Sequence, residues 1–102
     1  MITGTHNISG TAEQKLIDGV ADSDKQHTVE RLLVANTDTE EIEITLWLDN
    51  GSTHFYILHG TKLAEDVSLD VFDGIPFQFS STHDLFISLA AGETASVIIN
   101  YY

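Results

Sequence analysis

Apolar and polar residues alternate in short runs along most of this chain, and clusters of turn-forming residues interrupt the runs about every ten residues. In the clearest run, residues 41–48, four aliphatic side chains face one way while Glu41, Glu43, Thr45 and Trp47 face the other. A period of two is typical of strands with one buried face, whereas helical spacing is scarce. The pattern predicts one all-β domain over residues 1–102, a single antiparallel β-sandwich of jelly-roll or Ig-like type with about eight short strands.

The turn clusters place the expected strands at 14–20, 27–35, 41–48, 53–59, 67–72, 75–79, 85–89 and 95–102. Asn50-Gly51 is expected at the centre of a two-residue type I′ hairpin, because both residues tolerate the positive φ angles of that turn. We expect 27–35 to pair with 41–48 as part of a meander. The segment 61–66 is too short for an independent helix and is interpreted as a crossover between the sheets.

The charge balance excludes several functional classes. Sixteen acidic and four basic side chains give a net charge of −12, which would repel nucleic-acid phosphates and anionic membrane surfaces. The chain has no cysteine, so disulfides, iron–sulfur clusters, thiolate zinc sites and a cysteine nucleophile are all excluded. We therefore expect a soluble protein that binds neither nucleic acid nor membranes.

Histidines and carboxylates raise the possibility of a metal site, and their spacing argues against it. His54 and His59 are five residues apart in one expected strand, so they should point to opposite faces. Asp22-Ser23-Asp24 alternates oxygen ligands as calcium loops do, but lacks the glycine and distal glutamate of that pattern. Asp66, Asp70 and Asp73 surround another strand. We interpret all of these as surface or turn residues, and no metal or cofactor is predicted.

Catalysis has little support in the sequence. Ser81, His83 and Asp84 are the residue types of a hydrolase triad, but they are almost adjacent, whereas triads are assembled from separate segments. The chain also has no Gly-x-Ser-x-Gly elbow and no glycine-rich phosphate loop. The prediction is a protein without catalytic residues.

Aromatic residues suggest a partner surface. Trp47 falls on the glutamate face of its strand, so it is either capped by a crossing segment or exposed as an anchor for a partner. Tryptophan, tyrosine and arginine are the residues most often found at interface hot spots. The predicted interface residues are Trp47, Tyr56, Arg31, Tyr101 and Tyr102.

The order of segments resembles that of small β-sandwich virion proteins of tailed bacteriophages. The likeness covers nearly the whole chain and is clearest in Val-Ala-Asn-Thr at 34–37, the following strand at 42–48, and the closing run at 95–101. Residues 63–66 and 83–84 depart from turns that such proteins often have. The resemblance implies a non-enzymatic virion protein made in the bacterial cytoplasm, with the major capsid protein or other virion proteins as partners and self-association into a homo-oligomer.

Within that resemblance, we expect a capsid decoration (cement) protein on the outer shell, attached through strand edges. A neck, tail-ring or fibre-associated protein is the alternative from the same class. An alternative from a different class is a carbohydrate-binding adhesion module, in which Trp47 and Tyr56 would stack on sugar rings.

Overall fold

The alternating pattern is realised as an antiparallel β-sandwich. The computed structural model describes residues 1–22 and 26–102. Within them the chain forms a single 3₁₀ turn at Val20–Asp22 and nine strands: β1 (Ile2–Ser9), β2 (Gln14–Ile17), β3 (Gln26–Asn36), β4 (Ile42–Asp49), β5 (His54–Leu63), β6 (Ser68–Asp70), β7 (Phe77–Ser80), β8 (Asp84–Leu89) and β9 (Thr94–Tyr101).

The strands divide into two sheets. Sheet A has the order β1-β9-β3-β6, and β7 pairs with the first residues of β3. Sheet B has the order β2-β8-β4-β5. The expected all-β sandwich is confirmed, with nine strands rather than about eight. The additional strand is β1, whose sequence Ile-Thr-Gly-Thr-His-Asn-Ile-Ser has too few apolar residues to show a buried face.

The core lies between the sheets and is built from the inward half of each alternation. In β4, Ile42, Ile44 and Leu46 are fully buried, while Glu43 and the preceding Glu41 stay exposed. Each buried aliphatic side chain contributes about 1.5–3 kcal/mol to folding. The other fully buried large side chains come from β3, β8 and β9: Val29, Leu32, Val34, Leu85, Ile87, Val97 and Ile99.

The expected meander of β3 and β4 is wrong. β3 pairs with β9, β6 and β7, whereas β4 lies in the other sheet between β8 and β5. The chain crosses between sheets directly after Asn36, whose side chain holds the crossing. Its Nδ2 donates to the carbonyls of Glu40 (2.8 Å) and Leu63 (3.0 Å), and its Oδ1 accepts from the Asp38 N–H (2.8 Å).

The β4–β5 hairpin also differs from the expectation. Its connection contains four residues, 50–53, and Gly51 has a positive φ (99°) while Asn50 does not. A type I′ turn needs positive φ at both central residues, so that prediction is wrong. Instead, the side chains of Asp49 and Asn50 accept hydrogen bonds from the N–H groups of Gly51, Ser52 and Thr53.

β5 is longer and less regular than predicted, since it extends to Leu63. The expected crossover between the sheets is present, but it occupies 64–67 instead of 61–66. Its pairing shifts twice: Ile44 lies opposite Thr61, Leu46 opposite Leu58, and Trp47 opposite Tyr56. Two extra residues are therefore accommodated on β5 as bulges. Gly60, with φ of 64°, lies within the first of these irregular stretches.

No helix among the described residues is long and apolar enough to cross a membrane.

Candidate interaction surfaces

The outer face of sheet B carries an aromatic cluster formed by Trp47, His54, Tyr56, His59 and Phe86. Register places Trp47 between Tyr56 on β5 and Phe86 on β8. The Trp47 ring stacks on Phe86 (centroids 5.6 Å apart) and on His54 (5.0 Å), and Tyr56 stacks on His59 (4.3 Å). These contacts join three strands across a face that is usually exposed to solvent.

Trp47 is buried, so it is not an exposed anchor, but it is not covered in the way that the other sequence interpretation expected. Only 2% of the residue is exposed, and the cover comes from neighbouring rings of its own sheet rather than from a crossing segment. Its indole Nε1 is buried and has no hydrogen-bond acceptor among the described residues. Tyr56, by contrast, is 51% exposed. A partner on this face would therefore touch Tyr56 and not the Trp47 ring.

The expectation that His54 and His59 face opposite ways is wrong. The extra residue in β5 between Tyr56 and Leu58 reverses the alternation, so both imidazoles join the aromatic cluster on one face. They flank Tyr56 instead of converging on a common point. His54 Nε2 lies 3.4 Å from a carboxylate oxygen of Asp49.

The other predicted interface residues lie elsewhere. Arg31 is exposed on the outer face of sheet A, on the opposite side of the sandwich from Trp47 and Tyr56. Tyr101 packs partly against the core. Tyr102 exchanges backbone hydrogen bonds with Thr28 while about half of the residue stays exposed. The predicted residues therefore form no single surface, and their role in binding a partner stays a prediction.

Exposed apolar side chains collect at one end of the sandwich, which we call the apolar end: Met1 (73% exposed), Ile2, Val20, Phe55 and Tyr102. Register and hydrogen bonds place these residues at the same end of the sandwich, although β1 and β5 are border strands of different sheets. Ile2 pairs with Tyr101, and Tyr102 bonds through its backbone to Thr28 near the start of β3. The N–H of Val20 donates to Asp84 at the start of β8. Apolar side chains gathered on one exposed surface commonly mark a contact with another protein.

The opposite end is acidic. Four loops meet there, at 10–13, 37–41, 64–67 and 90–93, joined by hydrogen bonds such as Gly10 N–H to the Glu93 carbonyl (2.8 Å) and Asn36 N–H to the Val67 carbonyl (3.1 Å). The carboxylates they bring together are Glu13, Asp38, Glu40, Glu41, Glu65, Asp66 and Glu93. Lys62 pairs weakly with Glu41 at 4.0 Å. Seven of the sixteen carboxylates thus gather at this end, whereas Asp18, Asp49 and Asp84 lie at the apolar end.

His83 and Asp84, two of the residues that suggested a hydrolase triad, contact other groups instead of each other. The Asp84 carboxylate accepts from the Val20 N–H (3.0 Å) and lies 3.5 Å from Lys15 Nζ. The His83 ring lies 2.9 Å from the hydroxyl of Thr82 and packs edge-on against Phe55. Asp84 therefore does not orient His83 as the acid of a triad orients its base. A shallow depression of about 300 Å³ lies elsewhere, between β1 and β9 on sheet A.

The metal candidates divide into two cases. Ser23 and Asp24 of the possible calcium loop lie outside the described residues. Asp66 and Asp73 have positive φ angles (61° and 51°), which aspartate tolerates better than most residues, so turn geometry explains their positions. Within 1–22 and 26–102, no group of three or more His, Asp or Glu side chains is placed to hold a metal ion.

Free sheet edges form another kind of surface, which the sequence did not locate. β1 borders sheet A and pairs only with β9, in an unbroken register from Ile2↔Tyr101 to Ser9↔Thr94. It contains no Lys, Arg, Asp, Glu or Pro, the residues with which proteins usually protect an edge. The edges of sheet B differ, because β2 has only four residues and β5 is bulged.

Backbone geometry determines which residues of β1 are open. Gly10 N–H donates to the carbonyl of Glu93, the residue opposite it in register. In an antiparallel ladder alternate residues bond to the same neighbour. Even-numbered residues of β1 therefore bond to β9, and the odd-numbered Thr3, Thr5 and Asn7 direct their N–H and C=O groups toward the free edge.

Comparison with known proteins identifies the fold alone. No protein-family model and no curated protein matches the chain. Among solved structures, the nucleoplasmin-like N-terminal domain of Drosophila FKBP39 is similar, with a TM-score of 0.56 and 11% identity over 98% of this chain and 86% of that chain. The chain thus has a nucleoplasmin-like β-sandwich fold.

Proposed function

We propose that this chain is a non-enzymatic structural protein of a tailed-bacteriophage virion, and that it decorates and stabilises the outer capsid shell. The observation that carries this proposal is the polarity of the sandwich. Exposed apolar side chains occupy one end, and seven of the sixteen carboxylates gather in the loops of the other. A domain built this way docks by its apolar end onto a shell of major capsid protein and presents its acidic end to solvent.

The energetics of such a role are simple. A protein that binds only the assembled shell stabilises that state by mass action. Burial of Met1, Ile2, Val20, Phe55 and Tyr102 against shell subunits would supply the hydrophobic part of the contact. The outward acidic ends of neighbouring copies repel one another and the packaged nucleic acid, which favours separate sites on the outside of the shell.

Two other functions rank lower. A protein of a neck or tail ring could use the same docking end, and copy number separates that role from decoration. In purified particles, decoration requires copies in proportion to the shell subunits, whereas a ring requires only the few copies of one ring. A carbohydrate-binding module would need the Trp47 ring, but that ring is covered by His54 and Phe86.

We expect Val20→Asp to weaken binding to shells by at least tenfold, because it places a charge among the apolar residues that become buried on docking. The matched control is Val67→Asp, which makes the same change at the acidic end, where the valine is similarly exposed (43% against 49%). Cosedimentation of each purified variant with shells that lack this protein gives the affinities.

Equal binding by Val20→Asp and the wild-type protein would exclude the apolar end as the docking surface. Failure of the wild-type protein to cosediment with shells, together with a copy number of one ring per particle, would replace decoration with the ring function.

A further inference from the structure

The unprotected edge of β1 has a consequence for self-association. We infer that two copies of this chain pair through β1, antiparallel and about a two-fold axis at Thr5, so that sheet A continues from one copy into the other. This goes beyond shell attachment, because it uses the outward backbone edge of β1, although Ile2 belongs to both surfaces. Pairing about this axis turns the apolar ends of the two copies in opposite directions, so each dimer presents one apolar end to a given shell.

The backbone of β1 supplies the first argument. Thr3, Thr5 and Asn7 direct unpaired N–H and C=O groups outward along a regular strand. Pairing Thr5 with its own copy, and Thr3 with Asn7 in both directions, forms about six interchain backbone hydrogen bonds. No bulge in β1 interrupts this register.

The side chains fit the same register. Residues directly opposite each other in an antiparallel pair share a face of the sheet. With Thr5 on the axis, Ile2, which is 53% exposed, lies opposite the partner's Ile8, and Gly4 lies opposite the partner's His6. The first pair covers an exposed isoleucine, and the second places the largest side chain of the strand beside a residue without one.

Charge selects a second copy as the occupant of this edge. Each molecule carries a net charge of −12, so two copies can approach closely only where carboxylates are absent. Neither β1 nor its neighbour β9 contains an Asp, Glu, Lys or Arg. The β1 edge is therefore a neutral border on a strongly acidic molecule, and pairing there brings no like charges into apposition.

Sedimentation velocity over a range of concentrations tests the inference on the purified protein. We expect a concentration-dependent dimer for the wild-type protein and a loss of affinity of at least tenfold for Thr5→Pro, which removes one outward donor. Proline is tolerated on a free edge when the missing N–H bonds nothing within the chain. The matched control, Thr5→Val, keeps the backbone donor and should dimerise like the wild-type protein.

A monomer at every concentration, or an equally tight dimer of Thr5→Pro, would overturn the inference. If circular dichroism shows that Thr5→Pro is unfolded, amide hydrogen exchange of the wild-type protein decides. Protection of Thr3, Thr5 and Asn7 that rises with protein concentration supports pairing. Rapid exchange of these amides at all concentrations, beside protected Gly4 and His6, contradicts it. Shell binding plays no part in either readout, so this inference and the proposed function can fail independently.

Discussion

Trp47→Ala is expected to destabilise the domain by about 3–5 kcal/mol, the usual cost of removing an enclosed tryptophan. The residue is 2% exposed and stacks on Phe86 and His54. Its removal therefore leaves a void and breaks side-chain contacts that link β4 to β5 and β8. For a domain of this size each kcal/mol corresponds to a fall in Tm of roughly 4–8 °C. Urea unfolding followed by circular dichroism measures the loss.

Trp47→Phe is the matched variant. It keeps a ring in the cluster and removes an indole N–H that has no acceptor within the described residues, so we expect a cost of about 1.5 kcal/mol or less. A loss below about 1 kcal/mol for Trp47→Ala would show that the ring is not enclosed in solution and would return it to the role of an exposed anchor.

Asn36→Ala is expected to cost about 2–4 kcal/mol, because it removes three hydrogen bonds and leaves buried groups unpaired. The Asn36 side chain bonds the backbone of Asp38, Glu40 and Leu63, and thereby joins the crossing between sheets to the end of β5. Thermal unfolding compares the variant with Asn7→Ala, an exposed position where we expect a change within about 0.5 kcal/mol.

Asn36→Asp separates the hydrogen bonds from the volume of the side chain. It keeps the acceptor for Asp38 N–H but directs a carboxylate oxygen at the carbonyls of Glu40 and Leu63. In the wild-type protein these carbonyls lie 2.8 and 3.0 Å from the amide nitrogen of Asn36. We expect it to be at least as unstable as Asn36→Ala at neutral pH. A variant as stable as the wild-type protein would show that the two donated bonds contribute nothing.

Strands with one buried face were predictable, because burial on a single side imposes a period of two that local sequence records. β4 illustrates this, with Ile42, Ile44 and Leu46 inside and Glu43 outside. β1 was missed for the converse reason. Its residues are mostly small and polar, and it is a strand because β9 pairs with it along its whole length. Non-local pairing of that kind leaves no local pattern.

The candidate surfaces were less predictable than the fold. Asn36 stabilises the connection by which the chain passes from sheet A to sheet B, because its side chain bonds the carbonyls of Glu40 and Leu63. In the sequence it is indistinguishable from an ordinary turn-forming asparagine. The extra residues of β5 reversed the facing of His59, and only Gly60 hints at an irregularity there. Trp47 lies on the polar face of its own strand, yet rings from β5 and β8 bury it. Each of these outcomes depends on segments distant in sequence.

The irregular pairing of β5 also bears on how large an assembly of this protein can grow. A sandwich with two regular open edges can add copies at both and extend without limit, as fibrils do. Here the two bulges disrupt the ladder along the exposed edge of sheet B, which leaves β1 as the long regular edge among the described strands. If two copies pair through β1 as we infer, an interface that uses one edge about a two-fold axis is complete at two copies, and the assembly would close on itself instead of polymerising.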